Sequence, residues 1–294
     1  MRANGPVAAG EKPLLGIGLM LLAVLSFTCL DATAKYGAGE ASVPMLVWGR
    51  YAFNLLFMAA FLPWLGARGL VRTARPIFQA ARAVMLVLAT ASMFTAVKLL
   101  PLAETYAISF ISPLIVAALS APLLGERVGG RHWGAIVIGF AGVLIVVRPG
   151  DAALGWATIF PLLMATFYAI YQIMTRALST SDGAVPTLFY TVLVGSFAIS
   201  AALPAFWEAP SITTLGLMAA MGALGLCGQL MLIRALSLAP ASLVSPFVYT
   251  QIVWACGIGY LVFGDIPDVT TLVGAVVVIA SGILLLSWRD AVHS

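Results

Sequence analysis

Two opposite charges stand where this sequence has few. Asp31, in LSFTCLDATAK, and Arg50, in MLVWGRYAFN, each lie inside a long apolar run. Charges in such surroundings are costly, and a chain keeps them for pairing or for function. Three chemistries are open to this pair. Asp31 can join Lys35, one turn along its own helix. It can join Arg50 as a structural or gating contact. Or Arg50 can meet the carboxylate of a solute, which suits the flat guanidinium fork. A second pattern is Tyr168, Tyr171 and Gln172, whose i, i+3, i+4 spacing puts them on one face of a helix. Trp48, Asn54, Tyr190, Gln229, Tyr249 and Gln251 are further hydrogen-bonding groups in apolar runs. Lipid offers them no partners, so they are expected at helix seams or facing an interior. Each can simply bond a neighbouring helix. Together, Trp48, Arg50, Tyr168, Tyr171, Gln172, Tyr190, Gln229, Tyr249 and Gln251 are candidates to line an apolar, aromatic cavity with scattered polar groups, the usual make-up of a small-molecule site. Asp31 and Pro113 are the candidates for coupling or gating.

The elements that must hold these residues follow from composition. The 294 residues are 62% hydrophobic and 9% charged, with a mean hydropathy of +1.06. A water-soluble chain carries about 25% charged residues. Runs of roughly 20 apolar residues cross a bilayer as helices, and ten are read here: 14–35, 43–65, 77–97, 102–124, 132–148, 154–176, 184–206, 212–234, 241–263 and 269–287. The runs are apolar on every face, unlike the short alternating strands of a membrane barrel. The fold class is therefore an all-α polytopic membrane protein. Ala32-Thr33-Ala34 resembles a signal-peptidase site behind the first span, but that span has a counterpart later in the chain, so it is read as retained.

Basic residues orient the spans. Arg2, Lys12, Arg68, Arg72, Arg75, Arg82, Arg127, Arg131, Arg176, Arg234 and Arg289 fall on one side, against Lys35, Lys98 and Arg148 on the other. By the positive-inside rule both termini are expected in the cytoplasm, with the chain in the cytoplasmic (inner) membrane. The net charge of +4 then reports topology and gives no reason to expect nucleic acid as a partner. Cys29, Cys227 and Cys256 lie in apolar spans at no metal-binding spacing. His132 and His293 have no carboxylate or cysteine cluster near them, and the chain has no phosphate-binding G-x-x-x-x-G-K-[ST]. No cofactor, no metal, no enzymatic activity and no ATPase subunit are expected.

The chain also repeats itself. GERVGGRHWGAIVIGFAGVLIVVRPG (125–150) and GDIPDVTTLVGAVVVIASGILLLSWRD (264–290) both open on glycine and an acid, and both carry glycines eight residues apart, Gly134/Gly142 and Gly274/Gly282. Further back, Leu30, Asp31 and Lys35 align with Tyr171, Gln172 and Arg176, and Lys98 and Ser109 align with Arg234 and Ser245. Each half holds five spans. Two copies with an odd number of spans must enter the membrane from opposite sides, giving an inverted repeat, an arrangement common in secondary transporters. The expected organisation is a tail at 1–13 and five-helix repeats at 14–148 and 154–289. The glycines, with Gly222, Gly225 and Gly228, are read as close-packing positions. Pro113 and Pro161 are read as helix kinks.

Lys35 closing the first span, Arg50, Pro113, Gly125-Glu126 and the Gly134/Gly142 pair resemble the drug/metabolite transporter superfamily, in its ten-helix EamA form. Overall similarity is strongest to bacterial amino-acid and metabolite exporters of the YddG type. Asp265 stands where the family usually has glutamate, and no proline matches Pro113 in the second half. The resemblance implies helices 1–4 and 6–9 around a central cavity, with 5 and 10 outside, and transport without ATP. The expected function is export of amino acids, including aromatic or apolar ones, or of related small metabolites by alternating access. A multidrug or organic-cation exporter is the alternative, and a membrane channel a further one. A monomer or a homodimer both fit.

Overall fold

The computed structural model describes residues 13–65, 73, 75–124, 130–147, 155–178, 184–239 and 244–290. Helices α1 (Pro13–Gly37), α2 (Val43–Leu65) and α3 (Pro76–Leu99) come first. A short α4 (Leu102–Ser109) and α5 (Ser112–Leu124) follow, then α6 (Gly130–Val147). The second half runs through α7 (Ile159–Leu178), α8 (Ala184–Ala202), α9 (Ile212–Leu238), α10 (Gln251–Ile258) and α11 (Val269–Asp290). Six segments are long and apolar enough to cross a membrane alone. Shorter apolar segments at 102–116, 133–147, 247–263 and 269–284 complete the set among the described residues. Their order matches the ten spans read from the sequence.

Two spans are not the continuous helices expected. The fourth breaks between α4 and α5, at Phe110 and Ile111. Pro113 has no N–H to offer the Ser109 carbonyl four residues back, so the helical ladder cannot run through. Ile111 bonds back to Ile108 and Leu114 to Ile111. The ninth span is built in three geometries: a 3₁₀ segment Ser245–Thr250 with Pro246 in its first turn, then α10, then a π turn Gly259–Phe263. Gly264 closes that turn with a φ of 70°, a left-handed conformation in which a side chain is strained. The glycine before Asp265 thus has a backbone reason. Pro161, expected to kink its span, sits in the first turn of α7, where proline is tolerated, and α7 is unbroken.

The helices pair crosswise between the two halves. α1 packs along α9, α3 along α7, α2 along α8 and α9, and α6 along α11. Without a hydrophobic driving force inside lipid, such seams depend on close van der Waals contact. Gly222 and Gly228 of α9 abut Phe53 of α2 and Phe27 of α1, and Gly142 and Gly274 mark the α6–α11 seam against Val278 and Val146. Gly134 differs from the packing expectation: nothing lies within 4 Å of the position its Cβ would take. Four turns gather at one face of the bundle. Lys35 reaches both the α3–α4 turn and the loop before α11, and Trp48 near the start of α2 meets Trp207 before α9. This is called the Lys35 face below.

Candidate functional site

The polar residues converge on the seam between α1, α2, α3, α4 and α10. Asp31 is 8% exposed and accepts a short hydrogen bond from the Tyr106 hydroxyl of α4. Tyr106 also has Thr28 of α1 and Gln251 of α10 as hydrogen-bonding neighbours. One helix over, Arg50 Nη1 donates to Thr90 Oγ1 of α3 at 3.0 Å. The guanidinium lies 5.6 Å from the Tyr51 ring centroid and 5.8 Å from that of Phe94, within cation–π range. Tyr51 and Thr90 share a hydrogen bond of 3.3 Å.

Of the three readings of the charged pair, the intrahelical one is not formed. Lys35 turns away from Asp31 and bonds Asp265 Oδ2 at 2.7 Å and the Leu100 carbonyl at 3.2 Å. Asp31 and Arg50 lie within electrostatic range of each other but form no salt bridge; each rests on a neutral hydroxyl instead. The packing of α3 and α4 supplies other partners. Tyr106 and Thr90 are short-range partners that need no charge to be moved, and they leave most of the arginine fork and carboxylate lone pairs open.

A second polar group lies toward the opposite face. Arg82, six residues into α3, has no solvent exposure at all. Its Nε donates to Gln79 at 3.2 Å, Nη1 to Thr175 Oγ1 of α7 at 3.1 Å, and Nη2 to the Thr187 carbonyl at 2.7 Å and to Thr191 of α8. The Tyr171 ring lies 4.9 Å from its guanidinium carbon. Counting Arg82 with the cytoplasmic bases was therefore wrong. About 9 Å of helix at 1.5 Å per residue separates it from the start of α3, and threonines from two other spans hold it inward.

The remaining expected residues separate. Tyr168 and Tyr171 stack at 5.8 Å on the half-buried face of α7 that also carries Gln172. Gln251 joins Tyr106. Trp48 faces away from Arg50, donating to Ser200 Oγ of α8 at 3.0 Å and meeting Trp207 edge-on at 5.8 Å. Tyr249 packs in a core cluster, edge-on to Phe110 at 5.3 Å and against Gly282. Tyr190 meets Phe189 edge-on at 6.2 Å, and Gln229 is half-buried on α9. Pro113 lies in the first turn of α5, just after the break. Sequence reasoning missed Tyr106, Thr90 and Arg82. Arg82 and Tyr106 had a usable signal, a donor several residues inside an apolar run; Thr90 had none, because a lone threonine is ordinary in a membrane helix. Gly125, Glu126 and the side chains of Arg131, His132, Arg176, Ser245 and Pro246 lie outside the described residues.

A bundle of apolar spans, broken in two of them, around unpaired charges and neutral donors defines a multi-pass membrane protein suited to handling a small solute. The family model for EamA-like transporters matches twice, over residues 14–148 and 155–288, and the chain belongs to that family. Relatives cover nearly its full length. A Rickettsia bellii S-adenosylmethionine uptake transporter is 24% identical over 92% of this chain and 93% of its own. A Vibrio cholerae riboflavin transporter is 28% identical over 95% of each, and a Pseudomonas aeruginosa pseudopaline exporter 28% identical over 92% of this chain and 95% of its own. A solved crystal structure with 17% identity matches 96% of this chain and 100% of its own at a TM-score of 0.63, which shows the shared fold. The chain is a membrane transporter of the drug/metabolite superfamily.

Proposed function

We propose that this transporter carries small solutes bearing both an ammonium and a carboxylate on an apolar or aromatic body, namely amino acids or metabolites related to them. It works by alternating access between two inverted halves in the cytoplasmic membrane. The observation that carries the substrate class is the separation of Asp31 and Arg50. Opposite charges on adjacent spans, in range of each other yet each held by a hydroxyl, present a complementary pair of poles to a zwitterion. The Arg50 fork can take a carboxylate in bidentate fashion. Asp31 can take the ammonium while keeping the Tyr106 bond. The stacked, half-buried Tyr168 and Tyr171 of α7 supply aromatic surface for the body of the solute. The relatives' substrates differ among themselves, so the class rests on this geometry. Export as the physiological direction rests on the family resemblance, and relatives are named for both directions.

The test is counterflow in proteoliposomes preloaded with unlabelled solute, using labelled phenylalanine, leucine, S-adenosylmethionine, riboflavin and an organic cation. Saturable accumulation of the aminocarboxylates is the expected result. Accumulation of the organic cation or of riboflavin alone would remove the zwitterion class.

A further inference from the structure

The two faces of the bundle differ in a way the sequence repeat does not. At the Lys35 face, α1 packs on α3, and Leu30, Ala34 and Phe94 share one core cluster. The repeat makes α7 and α9 the counterparts of α1 and α3, yet those two helices show no comparable packing among the described residues. Side chains agree. Leu30 and Asp31 are 2% and 8% exposed, while their counterparts Tyr171 and Gln172 are only partly buried. The structure is thus drawn together at the Lys35 face and looser toward the other.

One side chain spans the closed face. Lys35, at the end of α1, bonds Asp265 in the loop before α11 and the Leu100 carbonyl in the turn between α3 and α4. Its ammonium also lies 4.8 Å from the Phe263 ring centroid, in the π turn. Three turns from both halves of the chain therefore converge on one ammonium. The Lys35 and Asp265 side chains are 16% and 28% exposed, so water can replace either bond when the face parts. A fully dry pair would be hard to break in every cycle.

We propose that Lys35 is the latch of a gate at this face. Its bonds to Asp265 and Leu100 hold the gate shut. When α3 and the loop before α11 move off, Lys35 is left with Asp31, one turn back on its own helix, as its nearest carboxylate. The i, i+4 pair absent from the closed state then forms in the open one. Lys35 takes Asp31 only after Asp265 has gone, so the gate and the solute-binding carboxylate respond to each other. The latch rests on the alternating-access part of the proposed function and not on the substrate class.

The test needs no substrate. In a chain with Cys29, Cys227 and Cys256 replaced by alanine, Ala34→Cys places a thiol beside Lys35 in the core cluster that Leu30 and Phe94 share, where Ala34 is fully buried. Its labelling by a membrane-impermeant maleimide added at the Lys35 face reports opening. Lys35→Ala and, separately, the near-isosteric Asp265→Asn are expected to label about three- to fivefold faster than the parent, the range for a partly exposed pair. The swap Lys35→Asp with Asp265→Lys is expected to return toward the parental rate. Parental rates in both single variants, each eluting as a monodisperse folded protein, would overturn the latch. So would a swap that labels as fast as the singles. Faster labelling together with silent aminocarboxylate counterflow would keep the latch and remove the substrate class.

Discussion

Lys35 meets Asp265 in a mouth where both side chains keep some solvent, whereas Arg82, toward the opposite face, is sealed from solvent and reaches only neutral oxygens. Both cations join the first half of the chain to the second. The first does so through a single ion pair, beside a carbonyl bond within its own half, with water at hand to take over either bond. The second spreads its charge over Gln79, Thr175, Thr187 and Thr191 and stacks on Tyr171. A partly exposed ion pair contributes about 0–1 kcal/mol, while hydrogen bonds to a charged group contribute about 1.5–3 kcal/mol each. The contact between halves that opens should be the weak, wet one. The contact that keeps α3, α7 and α8 in register should be the dry one. Strength and position therefore sort the two cations into a latch and a rivet, though either residue type alone would suit both roles.

The comparison can be broken in several ways. The largest effect is expected from locking the mouth. Lys35→Cys with Asp265→Cys, joined by a reducible bifunctional thiol reagent, should abolish counterflow, and a reductant should restore it; full activity in the cross-linked state would remove the gate from that face. Next comes Arg82→Lys, which keeps a buried charge but cannot reach four acceptors in a plane. It should lower stability by on the order of 2–3 kcal/mol, read as a drop in unfolding temperature in detergent. Arg82→Met, with no charge to bury, should cost less stability than Arg82→Lys, and the reverse order would deny that the cation is held by geometry. Arg50→Lys loses the bidentate fork and should raise the half-saturating amino-acid concentration about tenfold, one lost charge-assisted bond, with little change in unfolding temperature. The smallest effect is expected from Lys35→Ala on stability, below about 1 kcal/mol and shrinking with salt. Symmetry offers one sharper test. The sequence counterparts of Lys35 and Asp265 are Arg176 and Glu126, so Arg176→Ala should slow labelling of Ala34→Cys, opposite in sign to Lys35→Ala.

The ten apolar helical segments were legible in the sequence because each is a long, largely apolar run, and no tertiary contact is needed to see that. The two breaks were half legible. Pro113 and Pro246 were visible, but that the fourth span parts at Phe110 and that the ninth passes through 3₁₀ and π geometry depends on neighbours packed against them. The site was less legible still. Asp31 and Arg50 stood out by rarity, but Asp31's partner Tyr106 is 75 residues away and Lys35's partner Asp265 is 230 away. Helical spacing favoured the i, i+4 pair, and a distant carboxylate won because the closed face brings it within 2.7 Å. Arg82 was misread because counting bases near span ends treats every one as anchored in water. Three threonine-bearing turns of α7 and α8 decide otherwise.

The central claim is that Asp31 and Arg50 read the two poles of one solute. The most direct measurement compares counterflow of phenylalanine with its methyl ester, which lacks the carboxylate, and with 3-phenylpropionate, which lacks the ammonium. The account predicts saturable exchange of phenylalanine, with both analogues weaker by about tenfold or more, as for the loss of one charge-assisted hydrogen bond. It further predicts that Arg50→Gln erases the preference over the ester and Asp31→Asn the preference over 3-phenylpropionate. Equal exchange of all three solutes, or preferences untouched by either substitution, would contradict it.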